Sequence, residues 1–224
     1  MVFLGGAALV GGAVPIVKYL EPPVVGLSSF PTLQLVDKNG NPIKASQLPV
    51  NSPQAFQFSY PLTNEPNFLI NLGDENNQPV QVPQTEVTVP ADGSKYVFPG
   101  GVGPNKSVVA YSAICQHLGC KYPELHFYPP NYPPAQTFNG PMTKVIHCSC
   151  HGSTYDPYGG GAVITGPTVH PLPSVVLQWD SSSDELYATR MIGPVIYSHS
   201  SDLTGGNPPT GTVTQVVDVG NPFS

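Results

Sequence analysis

Cys115-Gln116-His117-Leu118-Gly119-Cys120 and Cys148-Ser149-Cys150-His151-Gly152-Ser153 together hold all four cysteines of this 224-residue chain and two of its six histidines. Cysteine thiolate and neutral imidazole are metal ligands, so two such hexapeptides point to a metal centre. Several donor sets are open. A zinc ion on two cysteines and two histidines would leave two cysteines idle, and a zinc ion on four cysteines would leave both histidines idle. Plant-type [2Fe–2S] ligation wants two cysteines four residues apart, a third after two more, and a distant fourth. Cys115 and Cys120 fit the first spacing, but Cys148 and Cys150 are only one residue apart. A further set divides two cysteines and two histidines between two irons.

Working outward, residues 106–114 read as a strand that runs directly into the first hexapeptide. The texture from Phe30 onward is all-β, with short β-branched or aromatic runs broken by Gly, Pro and Asn. Thr32 to Val36, Phe56 to Phe58, Phe68 to Ile70, Thr85 to Val89 and Tyr96 to Phe98 are further strand candidates. Val175 to Trp179 and Glu185 to Met191, joined by the turn Asp180 to Asp184, read as a hairpin. No 3.6-residue periodicity is sustained after the N-terminal segment, and no internal repeat occurs. The 27 residues from Lys121 to His147 connect the hexapeptides, and their Tyr128-Pro129-Pro130-Asn131-Tyr132-Pro133-Pro134 core predicts an extended surface loop. Beyond Ser201 the chain is rich in Gly, Pro and Thr, with one strand candidate at Val213 to Val219.

Charged residues make up 10% of the chain, against about 25% in an ordinary soluble protein. Eight basic residues against 14 acidic ones give a net charge of −6, and Arg190 is the single arginine. That balance excludes nucleic acid as a partner, because phosphates need cations to neutralise them. Few charges with abundant Pro, Tyr and Ser suit a hot or strongly acidic exterior. Val2 to Val17 carries no charge, and as a helix it would reach roughly 24 Å. The hydrocarbon core of a bilayer is ~30 Å thick, so residues 1–20 read as the trailing part of a membrane anchor. Glu21-Pro22-Pro23 opens a linker over 21–29. A domain over 30–200 and a Gly/Pro-rich extension over 201–224 complete the division.

The patterns C-x-H-x-G-C at 115–120 and C-x-C-H-x-S at 148–153 resemble the two boxes of the high-potential Rieske [2Fe–2S] proteins, of the cytochrome bc-complex and quinol-oxidase type. The likeness runs from about Ala110 through Gly166-Pro167. It implies an all-β fold of stacked antiparallel sheets with a small cluster-binding subdomain at about 111–174. It also implies one [2Fe–2S] cluster, with Cys115 and Cys148 on the inner iron and His117 and His151 on the outer one. Cys120 and Cys150 are then a disulfide. Ser153 and Tyr155 fall where the family's Ser and Tyr donate hydrogen bonds to cluster sulfurs, and residues 166–173 resemble its proline-rich covering loop. His126, His147, His170 and His199 stay non-ligands, with His147 at a strand end or in solvent.

The implied function is electron transfer from quinol to a cytochrome or other haem acceptor, beside cytochrome b-like or quinol-oxidase membrane subunits. His151 would contact the quinol and couple the electron to a proton. The chain would be membrane-anchored, with its soluble domain outside the cytoplasm, and not catalytic alone. The rival implied by similar boxes is the small Rieske subunit of an exported molybdenum oxidase of the arsenite-oxidising kind. Ring-hydroxylating oxygenases normally lack the two disulfide cysteines. A secreted binding module with structural zinc is the alternative from a different class.

Overall fold

The computed structural model describes residues 30–196, 207 and 209–224. The anchor expected at 1–20, the linker expected at 21–29 and His199 lie outside those residues. Among the described residues the only helix is a 3-10 turn at Ala45–Gln47, and no helix is long and apolar enough to cross a membrane. The fold is all-β.

Eight strands form the main sheet: β1 (Leu33–Val36), β2 (Phe56–Ser59), β3 (Pro66–Asn71), β6 (Val108–Ser112), β13 (Ser174–Asp180), β14 (Glu185–Ile192), β15 (Val213–Gln215) and β16 (Val217–Asp218). Their order is β15-β1-β14-β13-β6-β3-β2-β16. The β13–β14 hairpin falls where alternation and the Asp180–Asp184 turn place it. Side chains alternate across a strand, and both faces of this sheet are apolar. Leu69, Val108 and Ala110 enter one core with Leu33, Leu35, Phe58 and Val175. Phe68, Ile70, Val109 and Tyr111 enter a second core on the other face. A strand buried on both faces reads as a continuous apolar run, which is why Val108-Val109-Ala110-Tyr111 shows no polar alternation.

The C-terminal segment divides where the sequence suggests one strand. β15 runs parallel to β1 and β16 runs antiparallel to β2. Between them Val216 is buried in the first core and its N–H donates to Val36 O at 2.7 Å. Thr214 Oγ1 donates to Ser59 O at 2.8 Å. The segment set apart as an extension therefore bridges both sheet edges, covering strand edges that would otherwise be left unpaired.

The second core joins the main sheet to the region that carries both hexapeptides. There β7 (Leu125–Tyr128), β10 (Val145–Cys148), β11 (Ser153–Asp156) and β12 (Ala162–Thr165) form a sheet ordered β12-β11-β10-β7. Two short hairpins complete the fold: β4 (Thr85–Thr88) with β5 (Lys95–Phe98), and β8 (Ala135–Thr137) with β9 (Gly140–Met142). The connection between the hexapeptides is thus more than an extended loop. It supplies β7, the β8–β9 hairpin and most of β10, and the Pro/Tyr stretch between β7 and β8 stays irregular, because prolines cannot donate to a ladder.

Candidate metal centre

Each hexapeptide sits at the end of a buried strand. β6 runs into the first, and β10 ends on Cys148, opposite Ser153 of β11. Glycines let both loops turn sharply: Gly119 at φ 79° and Gly152 at φ 88° occupy the left-handed region that side chains disfavour. In each loop an amide closes back on the first cysteine. Gly119 N–H donates to Cys115 O and Gly152 N–H to Cys148 O, both at 2.9 Å. The loops are also fastened to each other. Ser149 N–H donates to Glu124 O at 2.9 Å, and a disulfide joins Cys120 to Cys150.

Cys115 and Cys148 are free thiols, each 1% exposed, on the core side of these loops. The His117 and His151 rings meet edge to face with centroids 5.0 Å apart, on the outward side. His151 is exposed and His117 half-buried. The four residues therefore come together with sulfur inward and nitrogen outward. Cys120, Cys148 and Cys150 also lie with their sulfurs within 4.8 Å of one another. That trio is not a ligand set, because two of its sulfurs are already bonded to each other.

Tyr155 is fully buried on β11, and its hydroxyl lies 3.3 Å from Cys115 Sγ. The same oxygen accepts the Gln116 N–H at 3.0 Å, which leaves its own proton for the sulfur. Burial first, then the negative charge of Cys115, holds the Tyr155 hydroxyl well above the usual phenol range, so it stays a donor. A hydrogen bond from Cys148 lowers the Cys115 thiol, and Tyr155 adds to that pull. Cys148 moves up in turn, chiefly through the same bond, since two adjacent buried thiols resist ionising together.

A [2Fe–2S] group of the Rieske kind fits these residues. The donor set is two thiols and two imidazoles. His117 Nδ1 and Ser153 Oγ are buried, and neither has a hydrogen-bond partner within the protein. Buried polar atoms are seldom left so. His117 Nδ1 belongs to the outward imidazole pair and Ser153 lies beside the Cys115 thiol, where a metal and its sulfide would satisfy them.

Three further histidines, His126, His147 and His170, lie among the described residues. His147 and His126 face each other across β10 and β7. His147 is buried, not in solvent, and its Nδ1 lies 2.9 Å from Thr154 Oγ1. Burial lowers both rings. His170 lies half-buried in the 166–173 segment, where Thr168 Oγ1 donates to His170 O at 3.0 Å. Sequence reasoning missed Phe138, at the tip of the β8–β9 hairpin. It shares a shallow depression with His117, His151, Thr165, Gly166 and Pro167. The Asn139-Gly140 dipeptide between two strand-forming pieces was the signal for that hairpin.

Comparison with known proteins agrees with this geometry. Residues 71–176 match the family described as the Rieske [2Fe–2S] domain. The iodate reductase subunit IdrB of Denitromonas iodatirespirans is 28% identical over 199 residues, covering 89% of this chain and 80% of that one. The cytochrome b6-f complex iron-sulfur subunit 2 of Trichormus variabilis is 28% identical over 177 residues, covering 76% and 74%. The soluble domain of Rieske protein II from Sulfolobus acidocaldarius superposes with a TM-score of 0.51 at 26% identity, covering 85% of this chain and 98% of that domain. With two boxes, a buried thiol pair, an outward imidazole pair and these relatives in agreement, residues 71–176 are a Rieske [2Fe–2S] domain, whose cofactor is one such cluster.

Proposed function

We propose that this chain takes an electron and a proton from membrane quinol at His151 and passes the electron to a haem acceptor, outside the cytoplasm, as one subunit of a membrane assembly. In this reading Cys115 and Cys148 hold the inner iron, and His117 and His151 hold the outer one. When bound, the cluster stores a single electron. The observation that carries the reading is the exposed His151 ring, edge to face with His117, opening on a depression that, among the described residues, is lined by no Asp, Glu, Lys or Arg.

An imidazole that ligates through one nitrogen keeps the other for a proton. On the exposed His151 that second nitrogen can meet a donor hydroxyl, and electron uptake favours proton uptake by charge attraction. Ser153 and Tyr155 supply donors on the sulfur side, where added negative charge is stabilised. The Cys120–Cys150 link suits an oxidising compartment. Similarity to a cytochrome b6-f subunit supports a cytochrome-complex setting.

The test is a pH-dependent redox titration of the cluster-loaded protein, with purification of the native assembly. A midpoint that falls as pH rises from neutral to alkaline, together with a co-purifying b-type cytochrome, is the expected result. A pH-independent midpoint overturns the proton-coupled step. A second reading, a small subunit paired with a molybdenum oxidoreductase, is favoured by the likeness to an iodate reductase subunit. Co-purification of a molybdenum protein in place of cytochrome b would decide for it.

A further inference from the structure

We infer that Phe138 is a specificity-determining residue: its ring favours flat, uncharged, apolar donors at His151. This rests on the quinol reading above and adds a residue outside both hexapeptides. Phe138 is 71% exposed. Single exposed apolar side chains are common and mean little alone, so the placement carries the inference. The ring lies against the backbone of Gly152, next to His151, where a Cβ on Gly152 would stand 2.7 Å from Phe138 Cε2. Ring and glycine are thus fitted to each other. Thr165, Gly166 and Pro167 also line the depression that Phe138 shares with both histidines.

The hairpin holds that ring in place. Asn139 N–H donates to Thr137 Oγ1 at 3.1 Å, and Thr137 Oγ1 donates to Gly140 O at 2.7 Å. Ala135, at the foot of the hairpin, is buried. A charged donor entering here would lose water without meeting a countercharge. An aromatic ring could stack on Phe138 while its hydroxyl meets the His151 imidazole. In the overall reaction one quinol reduces two oxidised protein molecules, becomes quinone, and releases two protons to the histidines or solvent.

The test compares the cluster-loaded full chain in detergent with Phe138→Ala and Phe138→Trp. Stopped-flow reduction is followed with a short-chain quinol and with dithionite, a small anionic reductant. Phe138→Ala should slow quinol reduction about fivefold, the ratio matching ~1 kcal/mol of lost aromatic contact. Dithionite reduction should be unchanged, and Phe138→Trp should restore the quinol rate. Titrating the reduced protein with the corresponding quinone, followed by the EPR line shape, should give an apparent Kd raised by a similar factor in Phe138→Ala. Equal quinol rates in wild type and Phe138→Ala overturn the inference and leave the quinol reading standing. Parallel slowing with both reductants also overturns it, as a general disturbance of the loops. A wild-type protein that dithionite reduces and quinol does not would sink both.

Discussion

Tyr155→Phe removes one hydroxyl and nothing else from a fully buried side chain, so its effects can be separated. The hydroxyl lies 3.3 Å from Cys115 Sγ and accepts the Gln116 N–H at 3.0 Å. As a donor to a ligand sulfur it stabilises the reduced, more negative cluster more than the oxidised one. If the bond is worth ~1 kcal/mol more in the reduced form, its loss lowers the midpoint by about 40 mV, at ~59 mV per tenfold for one electron. The variant also strands the Gln116 amide in a buried loop, which costs about 1–3 kcal/mol of stability. An EPR-monitored redox titration gives the midpoint, an iron assay gives the cluster content, and denaturant unfolding gives the stability. The expected result is a lower midpoint with full iron content and a weaker fold. An unchanged midpoint at full iron content would refute the hydrogen-bond argument, and a loss of iron would show that Tyr155 holds the loop instead.

Ser153→Ala should lower the midpoint as well, but with little loss of stability, because Ser153 Oγ is buried without a partner in the protein. A midpoint equal to wild type would remove Ser153 from the centre. Replacing both Cys120 and Cys150 by Ser opens a link across 30 residues, and chain entropy sets the loss at roughly 3–4 kcal/mol. Unfolding curves that coincide with wild type would contradict it. Burial holds the Glu65 carboxyl up at about 7, from an ordinary 4.5. The folded protein therefore binds that proton more tightly than the unfolded chain. This contribution is fully present below about pH 4.5 and lost as pH rises through about 7, on the order of 3 kcal/mol. Glu65→Gln should abolish that slope in denaturant titrations, and identical slopes in the two proteins would disprove the assignment.

The metal centre was legible because its chemistry is local in sequence. Six residues in each box hold the candidate ligands, a disulfide cysteine and a turn glycine at fixed spacing, and all four cysteines of the chain fall within them. Tyr155 follows two residues after Ser153 on the same strand, so it came with the box. Phe138 did not, because it is brought to Gly152 by a hairpin whose strands are three residues each. Elements that short leave no periodicity to read. His147 does sit at the end of β10, one of the two places its sequence suggests, but its burial was not legible, since nothing in its neighbours announces the Thr154 hydroxyl opposite it or the stacked pair of His126 and Tyr128 across the sheet. The same limit applies to Val213 to Asp218. Its alternation marks a strand, but its partners, β1 and β2, are more than 150 residues away.

The physical logic of the site lies in the two faces of β6. One face packs the first core and the other packs the second, where Tyr111 donates to Pro157 O at 2.7 Å. The first cysteine box therefore leaves a strand fixed on both sides, and the second box leaves the paired strands β10 and β11. A one-electron centre needs the same ligand geometry before and after transfer, since every rearrangement adds to the barrier. Strand ends, the disulfide and the Ser149–Glu124 and Gln116–Tyr155 hydrogen bonds supply that rigidity from four directions. The histidines sit on the opposite side, half-buried and exposed, where under the proposed function a proton would follow the electron without crossing the core. Weakening a loop tie should therefore broaden or shift the cluster's signals before it unfolds the domain, whereas cutting into the first core of the main sheet should unfold the domain with its site intact until the end.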